Sequence, residues 1–407
     1  MIVKELPQEF LDAKPILETI KQAGFEAYFV GGSVRDTLLG LPIHDVDIAT
    51  SAYPQEIKKI FKKTVDTGIQ HGTVMVLDHG EGYEITTFRT ESTYQDFRRP
   101  DHVTFVRSLE EDLKRRDLTI NAFAMDETGK IIDMFDGLND LQNKRLKAVG
   151  DAHERFHEDA LRMMRTIRFA SQLDFEIEER TLQALEENAP LLEKIAVERI
   201  HVEWIKLLTG KNPSRGLSAF YETKLYQHCP MFSKYGKTFA ELSKRKLKLQ
   251  DEIEAWTLLS YCLKMNGKDS AKLLRAWKSS NETIAQTEKA VAALESIADR
   301  RVTRFTLYNA GETGLKTALA VAKQMEITVD EDKLIHDYRT LPIKSKKDLK
   351  ANGGDLIKEA GIKAATMRTE VFFSCFRLII HCRAAKKSAG KISSIIRGQV
   401  RNPQPPS

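Results

Sequence analysis

The sequence predicts an α+β chain, with a small mixed-sheet head followed by an all-α remainder. Three stretches predict it. FVGGSVRDTLLGLPIHDVDI, residues 29–48, reads as buried run, glycine turn, helix and second run. HGTVMVLDHGEGYEITTFR, residues 71–89, reads as a hairpin. From His153 onward the apolar residues recur at helical spacing, broken at Lys211-Asn212-Pro213, Cys229-Pro230 and Met265-Asn266-Gly267. The expected division is head 1–148, helical neck 149–210, helical body 211–300 and helical tail 301–407.

A chain of 407 residues is too long for one core, and 42% hydrophobic with 30% charged residues is an ordinary globular composition. No apolar run of about 18 residues or more occurs, and MIVKELPQEF lacks a basic stretch leading into an apolar one, so a cytoplasmic protein without membrane contact is expected. Cys229, Cys262, Cys375 and Cys382 are too scattered for a C-x-x-C ligand pair or a disulfide framework, and read as buried thiols. The net charge of +5 is unevenly spread. From Ile362 onward nine Lys or Arg face the single Glu370, so the preceding residues are slightly acidic. Nucleic-acid binding must then rest on local patches.

Residues 14–23 predict a helix, with Pro15 in its first turn, Ile16, Leu17 and Ile20 on one face and Gly24 at its end. A strand over 27–30 follows. The Gly31-Gly32-Ser33 turn lets backbone N–H groups approach an anion and opens a helix, where Ser33 and Arg35 can hold a triphosphate. The next strand carries Asp45 and Asp47. Two apart on a strand, they share a side, and paired carboxylates there suggest Mg²⁺ beside substrate phosphates. Ser51 is the candidate cap of a helix that has Pro54 in its first turn and ends near Phe61. The hairpin pairs 73–77 with 83–89 through a turn containing Gly80 and Gly82, and it carries Glu84 on its second strand. Residues 89–102 read as a polar loop, 110–126 as a charged helix leading into a strand over 120–125, with Arg115-Arg116-Asp117 at the junction.

GGSVRD followed by DVDIAT resembles the nucleotidyltransferase superfamily that includes DNA polymerase β, and within it the class II tRNA nucleotidyltransferases, the CCA-adding enzymes, with the bacterial poly(A) polymerases as near relatives. The resemblance is strong over about 24–208, patchy to about 363, and stops there. It implies a nucleotidyltransferase head adding C, C and A to tRNA 3′ ends from CTP and ATP, with contacts to the 3′ end and acceptor arm. The alternative is a poly(A) polymerase or a partial CC- or A-adding enzyme. YEITTFR matches the strand that carries the superfamily's third acidic residue, so Asp45, Asp47 and Glu84 are the implied catalytic set, with Asp45 and Asp47 as metal ligands. Arg89 and Glu91 match the start of a loop linked in the family to the switch to ATP addition.

By the same resemblance Arg116 and Asp117 contact the nucleotide's sugar and phosphates, with Asn121 a weaker candidate. Asp133 and Asp136 match a hinge motif, and turn-capping accounts for them equally well. Glu158-Asp159-Ala160-Leu161-Arg162 matches the Glu-Asp-x-x-Arg motif that reads bases. At i and i+3, Asp159 can accept from the exocyclic amine of C or A while Arg162 donates to the ring acceptor beside it. Arg165 and Arg168 continue that basic stripe and join the nucleotide-binding candidates. ERIHVEWIKLL, 198–208, resembles the family's last motif, and Glu198 and Arg199 read as scaffolding. A phosphohydrolase reading fails because His44-Asp45 and His336-Asp337 lack the remaining partners of an HD series. A catalytically dead RNA-binding protein is at odds with the intact Asp pair.

Overall fold

The computed structural model describes residues 1–43, 45–91, 103–345 and 348. The basic segment beyond residue 363, with Cys375 and Cys382, lies outside them, as do residues 92–102 and the Glu91 side chain. The chain forms two compact units, Met1–Leu249 and Gln250–Ser407.

The first unit opens with α1, Gln8–Gln22. The helix starts six residues earlier than Pro15 suggested, because Phe10 and Ala13 extend the stripe of Ile16, Leu17 and Ile20 backward, all five buried. Pro15 sits inside the helix on its exposed face, with exposed Leu11 one turn before it, where an unpaired carbonyl meets water. Phe10 packs edge-on against Phe29, ring centroids 4.8 Å apart. After β1 (Ala27–Val30), α2 (Gly32–Leu38), β2 (Asp47–Thr50) and α3 (Pro54–Ile60) come β3 (Thr64–Gly68), β4 (Thr73–Asp78) and β5 (Glu81–Thr87). The hairpin turn is His79-Gly80, and Gly82 falls within β5 opposite Leu77. Tyr53, not Ser51, precedes α3, with Glu56 accepting from the Tyr53 N–H at 2.6 Å, while Ser51 Oγ accepts from Glu26 N.

Arg89–Glu91 is a strand, β6, paired with β7 (Val103–Phe105), where a loop was expected from residue 89. α4 (Leu109–Lys114) is followed by a 3₁₀ turn at Thr119–Asn121, and only then by β8 (Phe123–Met125) and β9 (Ile131–Asp133). Ile120 and Asn121 therefore belong to a turn rather than a strand. The main sheet runs β3-β4-β5-β2-β1-β8-β9, with β2 and β5 parallel and the other neighbours antiparallel.

Alternation along the central strands sorts the sheet's two faces. Phe29, Ile48, Ile85 and Met125 pack with the α1 stripe. Val30, Ala49 and Ala124 face the other way, against Leu109 and Leu113 of α4. Asp47 shares the face of Ala49, and Glu84 that of Thr86, so both carboxylates belong to the α4 side.

Asp133 accepts from the N–H groups of Phe135, Gly137 and Leu138 and caps α5 (Gly137–Gln142), the turn-capping role. β10 (Arg145–Leu146) then pairs with β11 (Glu176–Ile177), which follows α6 (Ala152–Glu158) and α7 (Leu161–Leu173). α8 (Glu179–Asn188), α9 (Val197–Leu208), α10 (Pro213–Glu222) and α11 (Gly236–Leu242) complete the unit. α10 lies close on α7 because Gly216 has no side chain: a Cβ there would meet Ile167 O at 2.9 Å. Trp204 of α9 is fully buried among Phe220, Phe232 and Phe239, with centroids 4.6 to 6.1 Å from its own, which turns the opposite, polar side of α9 toward α7.

The described part of the second unit is helical: α12 (Glu252–Cys262), α13 (Gly267–Ala276), α14 (Asn281–Ala298), α15 (Arg304–Gln324, kinked at Gly311) and α16 (Glu331–Arg339). Trp256 and Trp277 meet in its core at 5.4 Å. No helix among the described residues is long and apolar enough to cross a membrane.

Candidate active site

One cavity of about 750 Å³ in the first unit gathers the elements just described. Eight arginines, Arg35, Arg89, Arg115, Arg116, Arg162, Arg165, Arg168 and Arg199, line it with only Asp47, Asp117 and Asp159 as acids, a balance suited to a polyanion such as a triphosphate. Gly31, Gly32, Asn121, Phe169 and His71 also border it.

At the sheet side, β1 stops at Val30 because Gly31 turns the chain with φ 78°, ψ −141°, and the last β1–β2 pair is Val30 with Asp47. Asp45 has no strand partner beyond that point and precedes β2, so strand alternation does not set its direction. That corrects the expectation of two aspartates on one strand. The added Cβ of an alanine at position 31 would lie 3.4 Å from both Asp47 Oδ2 and Arg116 Nη1, so the turn touches the aspartate and an arginine at once. Glu84 sits beside Asp47 by the parallel register, one residue before the Ile48–Ile85 pair. Loss of water around Asp47 pushes its carboxyl above the usual range; Arg116 pulls it down, while Glu84 and Asp45 push it up further. Asp47 thus stands within electrostatic reach of both other carboxylates. Among the described residues no three His, Cys, Asp or Glu side chains close a metal cage. Magnesium binds through one or two carboxylates with water and substrate phosphates, and this donor set fits that mode.

α2 brings Arg35 into the wall, where it is buried and donates to both Asp36 oxygens at 2.9 Å and to Asn121 Oδ1 at 2.6 Å. Asn121 donates in turn to Asp117 Oδ1 at 3.0 Å, and Arg165 Nε to Asp117 Oδ2 at 2.7 Å. Burial alone would raise the Asp117 pKa, but Arg165 and Asn121 outweigh it and hold the carboxyl well below the usual range. Ser33 is the one nucleotide-binding candidate that does not border the cavity: its buried hydroxyl donates to Val30 O at 3.2 Å. At the end of α4, buried Asp112 ties down Arg115 at 2.7 Å and Arg116 at 3.4 Å. Sequence reasoning missed that carboxylate, which looks like one more charge on a polar helix.

The helical wall is more buried than a charged helix stripe usually is. Arg155, Arg162 and Arg168 are buried, and Arg35, Arg165 and Arg168 gather over the Phe169 ring at 4.9, 5.7 and 3.8 Å. Arg168 pairs with Glu203 of α9 at 2.5 Å. Asp159 ends α6 in extended backbone, where the chain breaks before α7. Arg162 is therefore paired not with Asp159 but with Glu158, at 2.6 Å, and donates to Arg115 O at 2.8 Å. Asp159 accepts from Leu161 N at 3.0 Å and pairs with Arg199 at 3.2 Å. Arg199, read from sequence as scaffolding, borders the cavity; Glu198 is exposed and does not.

Comparison with known proteins shows the family. Residues 27–147 match the Poly A polymerase head domain, 174–235 a probable RNA- and SrmB-binding site of polymerase A, and 247–383 a putative tRNA nucleotidyltransferase domain 2. The chain is 60% identical over 372 residues to the CCA-adding enzyme of Ligilactobacillus salivarius, covering 91% of this chain and 92% of that relative. It is 55% identical to that of Limosilactobacillus reuteri, with the same coverage. Among solved structures, the CCA-adding enzyme of Bacillus stearothermophilus in complex with CTP superposes with a TM-score of 0.83 at 39% identity, covering 97% of this chain and 98% of that one.

Proposed function

The chain belongs to the CCA-adding enzymes, tRNA nucleotidyltransferases that use CTP and ATP, and from that premise we propose how its cavity performs the reaction. The observation that carries the reading is the meeting in one cavity of the Gly31-Gly32 turn, Asp47, the Arg116-Asp117 junction and the Asp159–Arg162 motif, which lie far apart in the chain. Head 1–148 supplies the chemistry and neck 149–210 the choice of base, with 211–300 and 301–407 as body and tail.

The terminal ribose 3′-OH of tRNA attacks the α-phosphorus in line, and pyrophosphate leaves. Asp45 and Asp47, with Glu84 in support, hold Mg²⁺. When bound, the cation supplies neutralisation of the triphosphate and a lower pKa for the attacking hydroxyl. The Gly31 and Gly32 backbone, Arg35 and Arg116 orient the triphosphate, and the half-exposed guanidinium of Arg165 and the buried one of Arg168 extend the cationic wall. Asp117 keeps its carboxylate ionised beside Arg165 and accepts from the ribose 2′-OH, steadied by Asn121. Asp159 and Arg162 read the base edge. An enzyme meeting tRNA, CTP and ATP together works in the cytoplasm.

Purified protein given tRNA ending before CCA, with one nucleotide supplied at a time, tests this. CTP alone should add two residues, ATP alone none, and both together should add three and stop. Asp47→Ala, or chelation of divalent cations, should lower CTP and ATP addition alike by far more than tenfold, the change that corresponds to ~1.4 kcal/mol of barrier. Addition within tenfold of the parent would remove Asp47 from the reaction; an open-ended A tail would favour the poly(A) polymerase alternative.

A further inference from the structure

Arg199 is placed unlike a brace between helices. It lies on α9, about a third of a turn round from the buried Ile200 and Trp204, and its Nη2 stands 3.2 Å from Asp159 Oδ2. Its Nη1 is shut off from solvent and has no hydrogen-bond partner among the described residues. An arginine kept only for structure has its donors satisfied, since a buried unpaired donor costs stability. The ion pair with Asp159 therefore accounts for the placement.

The two base-reading candidates are held separately. Arg162 is pinned by Glu158 and by two backbone carbonyls, Arg155 O and Arg115 O. Asp159 is pinned by Leu161 N–H at Oδ1 and by Arg199 at Oδ2. Two contacts, one on each oxygen, fix the plane of the carboxylate and so the directions of its remaining lone pairs. Without Arg199 a single hydrogen bond remains, and the carboxylate is free to turn toward the cationic wall, where Arg165 already feels its charge.

We propose that Arg199 is a positioning residue for nucleotide choice, holding the Asp159 carboxylate in the plane that accepts the exocyclic amine of C and A. The inference rests on Asp159 reading the base. It requires nothing of Arg199 in the transfer step itself.

The test measures kcat and KM for CTP, ATP, UTP and GTP on tRNA ending before CCA, with Arg199→Met, Arg199→Lys and Asp159→Asn, alone and combined. Arg199→Met keeps the apolar stem and removes the charge. It should raise UTP use relative to CTP by about tenfold, since small misplacements of a contact cost that much or more, with the loss falling on KM for CTP more than on kcat. Arg199→Lys, which restores a cation without the planar fork, should recover part of the discrimination. In the Asp159→Asn background the Arg199→Met effect on choice should vanish. An unchanged CTP:UTP ratio in both Arg199 variants, or an effect that persists undiminished with Asp159→Asn, overturns the proposal. Should Arg199→Met lose its circular dichroism signature of folding, the Arg199→Lys ratio and its dependence on Asp159→Asn decide by the same criteria. If Asp159→Asn alone lowers all four nucleotides equally, base reading by Asp159 fails, whatever Arg199 does.

Discussion

Replacing Gly31 and Gly32 by alanine, one at a time, should produce effects of opposite sign. Gly31 holds φ 78°, ψ −141°, a region that residues with a Cβ rarely enter, at a strain of about 1–3 kcal/mol. The restricted unfolded chain gives back about 0.4–1 kcal/mol, so Gly31→Ala should destabilise the protein by about 1.3 kcal/mol at the middle of both ranges and by about 2.6 kcal/mol at most. The new methyl also lands 3.4 Å from Asp47 Oδ2 and Arg116 Nη1, at the near edge of ordinary contact, so a backbone shift that relieves the strained φ moves the turn against both. Displacing a carboxylate and an arginine together should lower CTP and ATP addition alike, by at least about tenfold. Gly32 starts α2, and its Cβ would stand 3.6 Å from Arg35 Nη2, an ordinary contact. Gly32→Ala should then be neutral or stabilising by up to about 1 kcal/mol, as alanine is in a helix. Urea unfolding followed by circular dichroism, with single-nucleotide addition rates on the same samples, separates the two. Equal stabilities, or a Gly31→Ala protein that adds CTP at the parent rate, would refute the argument that the turn's backbone sets the position of Asp47.

Asp117→Asn should cost about 1.5–2 kcal/mol at pH 7, because it removes the buried anion that accepts from Arg165 and Asn121, while Arg165 itself stays partly in water. The native Asp117 pKa lies below its unfolded value, so its stabilisation is present above pH ~4 and fades as pH falls from there toward the native pKa. The gap between parent and variant in denaturant midpoint should therefore narrow at pH 3; a gap of the same size at both pH values would contradict the ion-pair account. Loss of addition in Asp47→Ala and the Arg199 series are the remaining tests of the cavity's two walls.

Much of this architecture was readable in the chain because local chemistry and tertiary placement agree there. The strand over 27–30, the glycine turn, the hairpin and the helical remainder follow from periodicity and from residues with narrow backbone preferences. Errors came where packing overrode a local signal. Pro15 looked like a helix start, yet the stripe through Phe10 and Ala13 carries α1 past it. Asp45 looked like a strand residue, but its potential partner strand ends at Val30. Ile120 and Asn121 looked like strand residues, but the chain turns there to place Asn121 between Arg35 and Asp117.

The cavity's arginines show the limit most clearly. Spacing identified Arg162, Arg165 and Arg168 as a stripe, but a charged stripe defaults to solvent, and only the packing of α7 against α9 shows that Arg162 and Arg168 are buried. Nor could spacing show that Asp159 and Arg162, one turn apart, would be separated by the break between α6 and α7 and take different partners. The polar positions of α9, Arg199 and Glu203 at i and i+4, were the available signal for that wall. They acquire meaning only once Trp204 is known to point away from it.

Sequencing of the tRNA 3′ ends made by Asp159→Ala and by the parent, each supplied with all four nucleotides, tests most directly the claim that the protein's own side chains stand in for a template. The account predicts CCA ends from the parent, and from Asp159→Ala a mixture in which U or G replaces C or A while the total number of extended molecules falls less than in Asp47→Ala. Correct CCA ends from Asp159→Ala at a uniformly reduced yield would contradict it, and would return the Asp159–Arg199 pair to the scaffold.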